Sequence, residues 1–249
     1  MTSPRVLLVQ VRTDDMKLHE LECFLRHTGL TNGQVRSLDV FHDTMELSVL
    51  DDVDALVIGG AGEFCVSGNT PDALDGMMAL ARAARARAMP LLGMCYGAHV
   101  LTVAFGGRVI CDSSRMEFGT YRVVQTPAAG ACPVFGQMPS SYDAQFGHKD
   151  HIDTLPLGAV NLAASELSPF QAWTFPGEPV YALQIHAELD EEGVSHRMRY
   201  YAKMYHLDDG ALVRQLATVR PSPSVPMLLK RFVQHVIVDG RVYPRNTQE

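Results

Sequence analysis

The sequence lacks any apolar run near the roughly 18 residues that a membrane helix needs. Its first apolar run, Val6 to Val9, is too short for the core of a signal peptide and is interrupted by Gln10 and Arg12. Basic runs are also absent, and 21 Lys and Arg against 28 Asp and Glu give a formal net charge of −7. These features disfavour a membrane, or a nucleic acid, as a partner. We therefore expect a cytoplasmic protein.

The chain has few cysteines, and their spacing does not suggest that they form pairs. The five cysteines stand at positions 23, 65, 95, 111 and 132, and no two form a Cys-x-x-Cys pair. An odd count in a chain of 249 residues argues against a disulfide framework or a cysteine zinc site. Free thiols are the better interpretation, and one of them is a candidate nucleophile.

The first two-thirds of the chain alternates short apolar runs with helical patterns. This alternation predicts an α/β fold with a mainly parallel sheet and helices on both faces. The predicted strands are 5–11, 34–41, 54–60 and 90–94, and the predicted helices are 16–27, 71–88 and 96–105.

The pattern changes after Gly107. Segments rich in β-formers, joined by Pro and Gly turns, continue to about Ile185 and predict a small antiparallel excursion: 108–125, 144–151, 160–165, 171–175 and 180–185. From about residue 190 the chain is helical again, interrupted by prolines. No repeat or linker is evident, so we expect one domain over 1–249 with a helical C-terminal extension over about 190–249.

The stretch Pro90-Leu-Leu-Gly-Met-Cys95-Tyr-Gly-Ala-His99 places a cysteine between two glycines, after a predicted strand and before a predicted helix. A nucleophile on such a turn needs small neighbours, because the sharp turn crowds its backbone. The positive end of the following helix favours a thiolate, and the Tyr96 N–H could donate to an oxyanion. Buried free cysteines are commonly inert, so the elbow alone leaves both interpretations of Cys95 open.

A base for Cys95 is found much later in the chain. His186 stands near the end of a predicted strand, at the sheet edge where α/β active sites lie. Glu188, two residues on, could hold its imidazole in one tautomer. In isolation a surface His/Glu pair is the simpler interpretation, but a preceding cysteine elbow favours a Cys95–His186–Glu188 triad.

Together these motifs resemble the class I, or triad, glutamine amidotransferase family. Its pattern has a Gly-x-Cys-x-Gly-x-Gln elbow and a later Gln-hydrophobic-His-Pro-Glu. The resemblance extends over about Val6 to Glu188, and further matching segments are the glycine loop 57–62, Gly106-Gly107, Glu117-Phe-Gly119, 147–152 and 169–172. It implies a flavodoxin-like three-layer sandwich.

The resemblance also implies roles for particular residues. The Gly60-Ala61 turn would supply a second oxyanion donor beside the Tyr96 N–H. Substrate contacts would come from His99, Glu117, Gly119, His148 and Gln171. Two positions depart from the family pattern, because His99 replaces its Gln and Ala187 its Pro. A ring in place of an amide puts strict glutamine specificity in question.

The function implied is attack by Cys95 on the γ-amide of glutamine or a γ-glutamyl compound, through a γ-glutamyl thioester. With no synthase domain after Glu188, a separate synthase partner supplied with ammonia and a stand-alone enzyme are both possible, and His99 and the C-terminal extension favour the stand-alone enzyme. Two further interpretations stay open: a non-catalytic regulatory subunit, and a PfpI-like cysteine enzyme using Glu63. His148 and His151 lack an evident third ligand, so we expect no metal and no cofactor.

Overall fold

The structure, a computed structural model, describes residues 3–204 and 206–245. Five parallel strands form one half of its main sheet, and their side chains are almost all buried on both faces, as expected of a parallel sheet covered by helices. They are β1 (Val6–Gln10), β2 (Val35–Asp39), β3 (Ala55–Ile58), β4 (Leu91–Met94) and β11 (Val180–Leu183).

The antiparallel excursion extends this same sheet. Its strands are β6 (Glu117–Gln125), β7 (Ser141–His148), β9 (Val160–Ser165) and β10 (Ala172–Thr174). The nine strands lie in the order β2-β1-β3-β4-β11-β10-β9-β6-β7. A separate two-stranded sheet pairs β5 (Arg108–Cys111) with β8 (Asp150–Thr154).

The segment predicted as one β-rich stretch over 108–125 thus contributes to two sheets. A short 3₁₀ turn, Ser113–Arg115, separates β5 from β6. Asp112 stabilises that turn because its carboxylate accepts a hydrogen bond from the Ser114 N–H.

Helices cover both faces of the parallel half. The helices α2 (Leu74–Ala86) and α3 (Tyr96–Ala104) pack together against one face, and α1 (Met16–Thr28) packs with α6 (Pro226–Arg231) on the other. This confirms the predicted three-layer arrangement. The predicted start of α2 at Pro71 is early, since Ala73 is its N-cap.

The C-terminal part is helical, as predicted. It comprises α4 (Glu191–Tyr201), α5 (Asp209–Leu216) and α6, which continues as π-helix over Phe232–Val238. Helix α4 packs against β6 and β7, so the extension lies beside the antiparallel strands. That residues 1–249 form a single domain stays a prediction. Within the described ranges, no helix has both the length and the apolar character required to cross a bilayer.

Candidate active site

Cys95 lies on a sharp turn between β4 and α3. Its backbone angles, φ 48° and ψ −106°, are in a region that residues other than glycine rarely adopt. The Cys95 N–H donates to the Leu183 carbonyl of β11 at 2.7 Å, which anchors the turn to the sheet. Strain of this kind persists only where its surroundings impose it, and it is concentrated at functional sites.

The two flanking glycines allow this turn to form. A Cβ on Gly93 would lie 2.5 Å from the Gly97 carbonyl carbon, and one on Gly97 would overlap the Ile58 carbonyl oxygen of β3. The elbow therefore needs glycine at both positions because backbone atoms, which cannot move aside, fill the space. This agrees with the sequence-based expectation for a nucleophile elbow.

Gly97→Ala is expected to lower the free energy of unfolding by about 1–3 kcal/mol, because the added methyl group would overlap the Ile58 carbonyl group. Gly33→Ala is the matched control, since a Cβ there has no neighbour within 4 Å. Urea unfolding of both variants measures the difference. Equal stability of the two variants would show that the elbow is not crowded.

His186 and Glu188 lie just after β11, at the sheet edge where β4 ends in Cys95. His186 Nδ1 is 2.8 Å from Glu188 Oε1, and both residues are buried. The other ring nitrogen of His186, Nε2, faces the elbow, and Gly147 is the neighbour that His186 and Cys95 share. A Cβ on Gly147 would lie 3.7 Å from His186 Nε2. The Gly147 carbonyl oxygen is 3.9 Å from Cys95 Sγ. The geometry is that of a nucleophile, a base and an orienting acid.

The charges of the triad support one another. Burial disfavours the imidazolium of His186, but the nearby Glu188 and Cys95 outweigh burial and raise the pKa of His186 to about 9. Burial likewise disfavours the Glu188 carboxylate, yet His186 and then Arg197 hold its pKa well below its usual range. Glu188 is therefore ionised at neutral pH.

Arg197 is a site residue that the sequence did not reveal. Its Nη1 donates to Glu188 Oε1 at 2.8 Å and lies 3.4 Å from His186 Nδ1, and the residue is 6% exposed. It comes from α4, on the same helix face as Val194 and Tyr201, three residues before and four after. A charged residue in phase with buried ones on a helix was the signal that could have revealed it.

The expected oxyanion role of Gly60 needs correction. In this structure its N–H donates to the buried carboxylate of Glu20 at 3.0 Å. Glu20 also forms an ion pair with Arg12 at 3.2 Å, and both side chains are almost fully buried. Gly60 is therefore not a free donor here, and the expected oxyanion donors are the N–H groups of Ala61 and Tyr96.

Glu20→Ala is expected to lower the free energy of unfolding by about 3–5 kcal/mol, because it leaves the buried Arg12 without its counter-charge. Glu22→Ala on the same helix is the control, since Glu22 is exposed. Urea unfolding compares them. A Glu20→Ala variant as stable as Glu22→Ala would contradict a structural role for this ion pair.

His99 is buried, with its ring fixed by an amide. Its Nε2 lies 2.8 Å from Gln184 Oε1, which also accepts the Ile152 N–H at 3.1 Å, while Gln184 Nε2 donates to the Phe170 carbonyl. His99 Nε2 is therefore the donor. Burial, with a smaller contribution from His148, lowers the pKa of His99 to about 4, so the ring is neutral at physiological pH.

Glu117, His148 and Gln171 form a buried network. The Glu117 carboxylate accepts hydrogen bonds from Ser165 Oγ (2.7 Å) and Gln171 Nε2 (2.5 Å) and lies 3.3 Å from His148 Nε2. Among the described residues, His148 lines a cavity that reaches Cys95, but Glu117 and Gln171 line neither of the two such cavities. Their role as direct substrate contacts stays a prediction; in the structure Gln171 holds Glu117, and Glu117 lies beside His148.

Gly119 also lies away from the position that the sequence predicted. It has φ 113°, and a Cβ there would lie 3.1 Å from Thr218 Oγ1, after α5, and 3.4 Å from Gln215 Nε2. Neither of the cavities at Cys95 includes it. The absence of a side chain at Gly119 lets α5 and the residues after it pack closely on β6, and its role in substrate binding stays a prediction.

The structure brings a third potential ligand to the two histidines noted in the sequence. Ligand atoms of Glu117, His148 and His151 all lie within 4.8 Å of one another. Both ring nitrogens of the buried His151 lack a hydrogen-bond partner among the described residues. Among the described residues, these three side chains could hold a metal ion, and Glu117 Oε2 and His148 Nε2 already lie 3.3 Å apart.

Two cavities meet at Cys95, and both also include Ala61, Gly62 and Gly147. The first carries the polar side chains of His99, His148 and Lys149. Its remaining lining residues are Glu63, Phe64, Cys65, Tyr96, Asp150 and Met204. The second includes His186 and is enclosed partly by α4.

Known proteins resemble this chain in both sequence and structure. A glutamine-hydrolysing GMP synthase subunit of Archaeoglobus fulgidus is 26% identical over 178 residues, which cover 70% of this chain and 90% of that protein. The glutamine-hydrolysing GMP synthase of Thermosipho melanesiensis is 36% identical over 101 residues, but these cover just 19% of that protein. The match therefore spans about a fifth of the length of the latter.

The fold has solved counterparts. A glutamine amidotransferase from Thermotoga maritima superposes with a TM-score of 0.72 at 20% identity, covering 96% of this chain and all of that one. A glutamine amidotransferase from Methylobacillus flagellatus gives 0.67 at 17% identity, covering 100% and 99%. The family model for class-I glutamine amidotransferases matches residues 21–199. The chain therefore belongs to the class-I glutamine amidotransferase family.

Proposed function

We propose that this protein hydrolyses the γ-amide bond of glutamine or of a γ-glutamyl compound and that it does so without a synthase partner. The observation that carries the proposal is the strained Cys95 elbow beside the buried His186–Glu188 pair. A strained backbone and a buried, oriented base at one sheet edge are what a cysteine nucleophile requires.

The first half of the reaction forms a thioester. In the resting enzyme His186 already holds the proton of the Cys95 thiol, so Cys95 attacks the γ-carbonyl carbon as a thiolate beside an imidazolium. The N–H groups of Tyr96 and Ala61 hold the oxyanion that develops. When the C–N bond breaks, the His186 imidazolium gives its proton to the departing nitrogen, which leaves as ammonia or an amine.

The second half returns the enzyme to its starting state. His186, now neutral, accepts a proton from a water molecule, whose oxygen attacks the thioester carbonyl. The C–S bond then breaks, glutamate leaves with its carboxyl proton passing to solvent, and Cys95 is again a thiolate beside the protonated His186. Glu188 stays ionised throughout, with Arg197 and His186 as its partners.

The test is turnover by the protein alone. We expect the purified chain to release ammonia or amine from glutamine or from at least one γ-glutamyl amide in a panel of amides and dipeptides. The His99→Gln variant addresses specificity, because it restores the residue of the family pattern, and it should raise the share of glutamine in total turnover. A folded wild-type protein that turns over no member of the panel would refute the proposal.

A second candidate function is ammonia supply to a separate synthase. The similarity to the GMP synthase subunit of Archaeoglobus fulgidus over 70% of this chain favours it. Under this alternative, glutamine turnover would require addition of a synthase partner. The non-catalytic alternative has less support, because all three triad residues are present. The PfpI-like alternative is disfavoured because the Glu63 carboxylate accepts a hydrogen bond from Thr13 at 2.9 Å.

The activity is expected to fall as the pH rises above about 9, the value to which Glu188 and Cys95, against burial, raise the pKa of His186. Below that pH the ring carries the proton that the departing amine needs, and above it the proton is lost. Measuring kcat/KM as a function of pH gives this basic limb of the profile. A basic limb near the ordinary histidine pKa of about 6.5 would contradict the assignment.

The cytoplasm is the compartment we propose. All five cysteines are free in the structure, and two of them, Cys65 and Cys111, are at least partly exposed. Unpaired, accessible thiols are typical of a reducing compartment.

A further inference from the structure

The second cavity at Cys95 has a different chemistry from the first. Five apolar side chains line it: Phe118, Phe146, Leu189, Val194 and Met198. Two of these, Val194 and Met198, come from α4, so the C-terminal extension builds one wall of the cavity.

The position of His186 distinguishes the roles of the two cavities. The leaving nitrogen must lie within reach of the proton on His186, and the second cavity includes that ring whereas the first does not. The first cavity holds the polar side chains of His99 and Lys149, which suit the charged glutamyl end. The acyl part of the substrate therefore belongs in the first cavity and the leaving group in the second.

Two buried arginines add positive charge to the second cavity. Arg12 and Arg197 line it at 3% and 6% exposure. Each is partly satisfied, by Glu20 and Glu188 respectively, but Arg12 Nε and Arg197 Nη2 have no hydrogen-bond partner among the described residues. A buried guanidinium N–H without a partner is costly, and a carboxylate is the group that it binds best.

We propose that the second cavity binds the leaving group and that this group is an amino acid with an apolar side chain. The substrate is then a γ-glutamyl dipeptide, with its C-terminal carboxylate on Arg197 and its side chain against Phe118 and Met198. This inference rests on the proposed function. The bond that breaks is the γ-glutamyl C–N bond, and the amino acid leaves with the proton from His186.

The experiment compares four substrates that differ by one feature at a time: γ-glutamyl-leucine, γ-glutamyl-glycine, γ-glutamyl-isoamylamide and glutamine. Glycine removes the side chain, and isoamylamine is leucine without its carboxylate. We expect kcat/KM for γ-glutamyl-leucine to exceed that for the glycine substrate and that for the isoamylamide substrate by about 10-fold or more, since a buried leucine side chain or a hydrogen bond to a charged group is worth about that factor.

Variants assign each preference to its residue. Arg197→Gln also disturbs the triad, so the readout is the ratio of leucine to isoamylamide substrates, which should fall to near one even if both rates drop. Met198→Ala should reduce the ratio of leucine to glycine substrates. Met204→Ala is its matched control, because Met204 lines the first cavity, and it should leave that ratio unchanged.

The results distinguish failure of the leaving-group subsite from failure of the proposed hydrolase activity. Equal kcat/KM for all four substrates, or ratios that neither variant moves, would overturn the leaving-group subsite while Cys95-dependent turnover still supported the hydrolase. Glutamine as the best substrate would also overturn the subsite. If folded wild-type protein turns over none of the four, the proposed function fails and the inference falls with it.

Discussion

Replacing Cys95 by alanine is expected to lower kcat for γ-glutamyl amide hydrolysis by about 10⁴-fold or more. The variant keeps the oxyanion donors and the cavities but has no sulfur to form the thioester. Its fold should persist, because Cys95 is 5% exposed and alanine occupies less space in the same turn. Amine release measured alongside circular dichroism separates lost chemistry from lost structure.

Cys65→Ala is the matched control for this loss. Cys65 lines the same cavity as Cys95, but burial raises the pKa of its thiol to about 11, so it carries no thiolate at neutral pH. Its replacement should leave kcat within about twofold of wild type, as for a substitution that removes no interaction made in the transition state. If Cys65→Ala were inactive and Cys95→Ala active, the nucleophile would be misassigned.

Glu188→Gln should be the second most damaging change, with kcat lowered by about 10³- to 10⁴-fold. The amide can no longer fix the His186 tautomer through a charged acceptor, nor stabilise the imidazolium. Because Arg197 and His186 both lose their buried counter-charge, the free energy of unfolding should also fall, by about 3–5 kcal/mol. Kinetics and urea unfolding on the same sample measure both effects.

A further expectation distinguishes the acid of the triad from a merely structural carboxylate. In Glu188→Gln, the basic limb of the kcat/KM profile should move to lower pH, because Glu188 is the first of the groups that raise the pKa of His186. Glu63→Gln is the control, since Glu63 lines the polar cavity without contacting the triad. If Glu188→Gln kept full activity and an unchanged pH profile of kcat/KM, Glu188 would have no part in the mechanism.

The elbow and the triad could be predicted from the sequence because their signals are local. Gly93, Cys95 and Gly97 occupy every second position at the end of one apolar run. His186 and Glu188 are likewise two residues apart and follow a second apolar run. Parallel strands bring such segments together at one sheet edge without further information. The same local patterns located most strands and helices to within a few residues.

The parts that sequence reasoning missed depend on long-range packing. Arg197 reaches Glu188 because α4 folds back onto β6 and β7, and Glu20 reaches the Gly60 N–H from a helix 40 residues away in sequence. Gly119 could be assigned to the site by resemblance, but the atoms nearest to it belong to Thr218 and Gln215, nearly 100 residues later. Helical phase can mark Arg197 as a buried position, but no pattern in the sequence says which distant residue it, Glu20 or Gly119 will contact.

Helix α4 gives the C-terminal extension a function that its sequence did not reveal. It supplies Arg197 to the acid of the triad and Met198 to the wall of the second cavity. One element thereby contacts both the acid of the proposed triad and the cavity that we propose binds the leaving group. A change in α4 should therefore alter both catalysis and substrate choice.

Capture of the acyl-enzyme would show whether Cys95 is the nucleophile. γ-Glutamyl-leucine, γ-glutamyl-glycine or glutamine is mixed with enzyme, quenched in acid during turnover and digested, and the peptides are analysed by mass spectrometry. The account predicts a γ-glutamyl adduct on the peptide that contains Cys95, absent from Cys95→Ala and sensitive to hydroxylamine as a thioester is. Steady turnover with no adduct on Cys95, undiminished in Cys95→Ala, would contradict it.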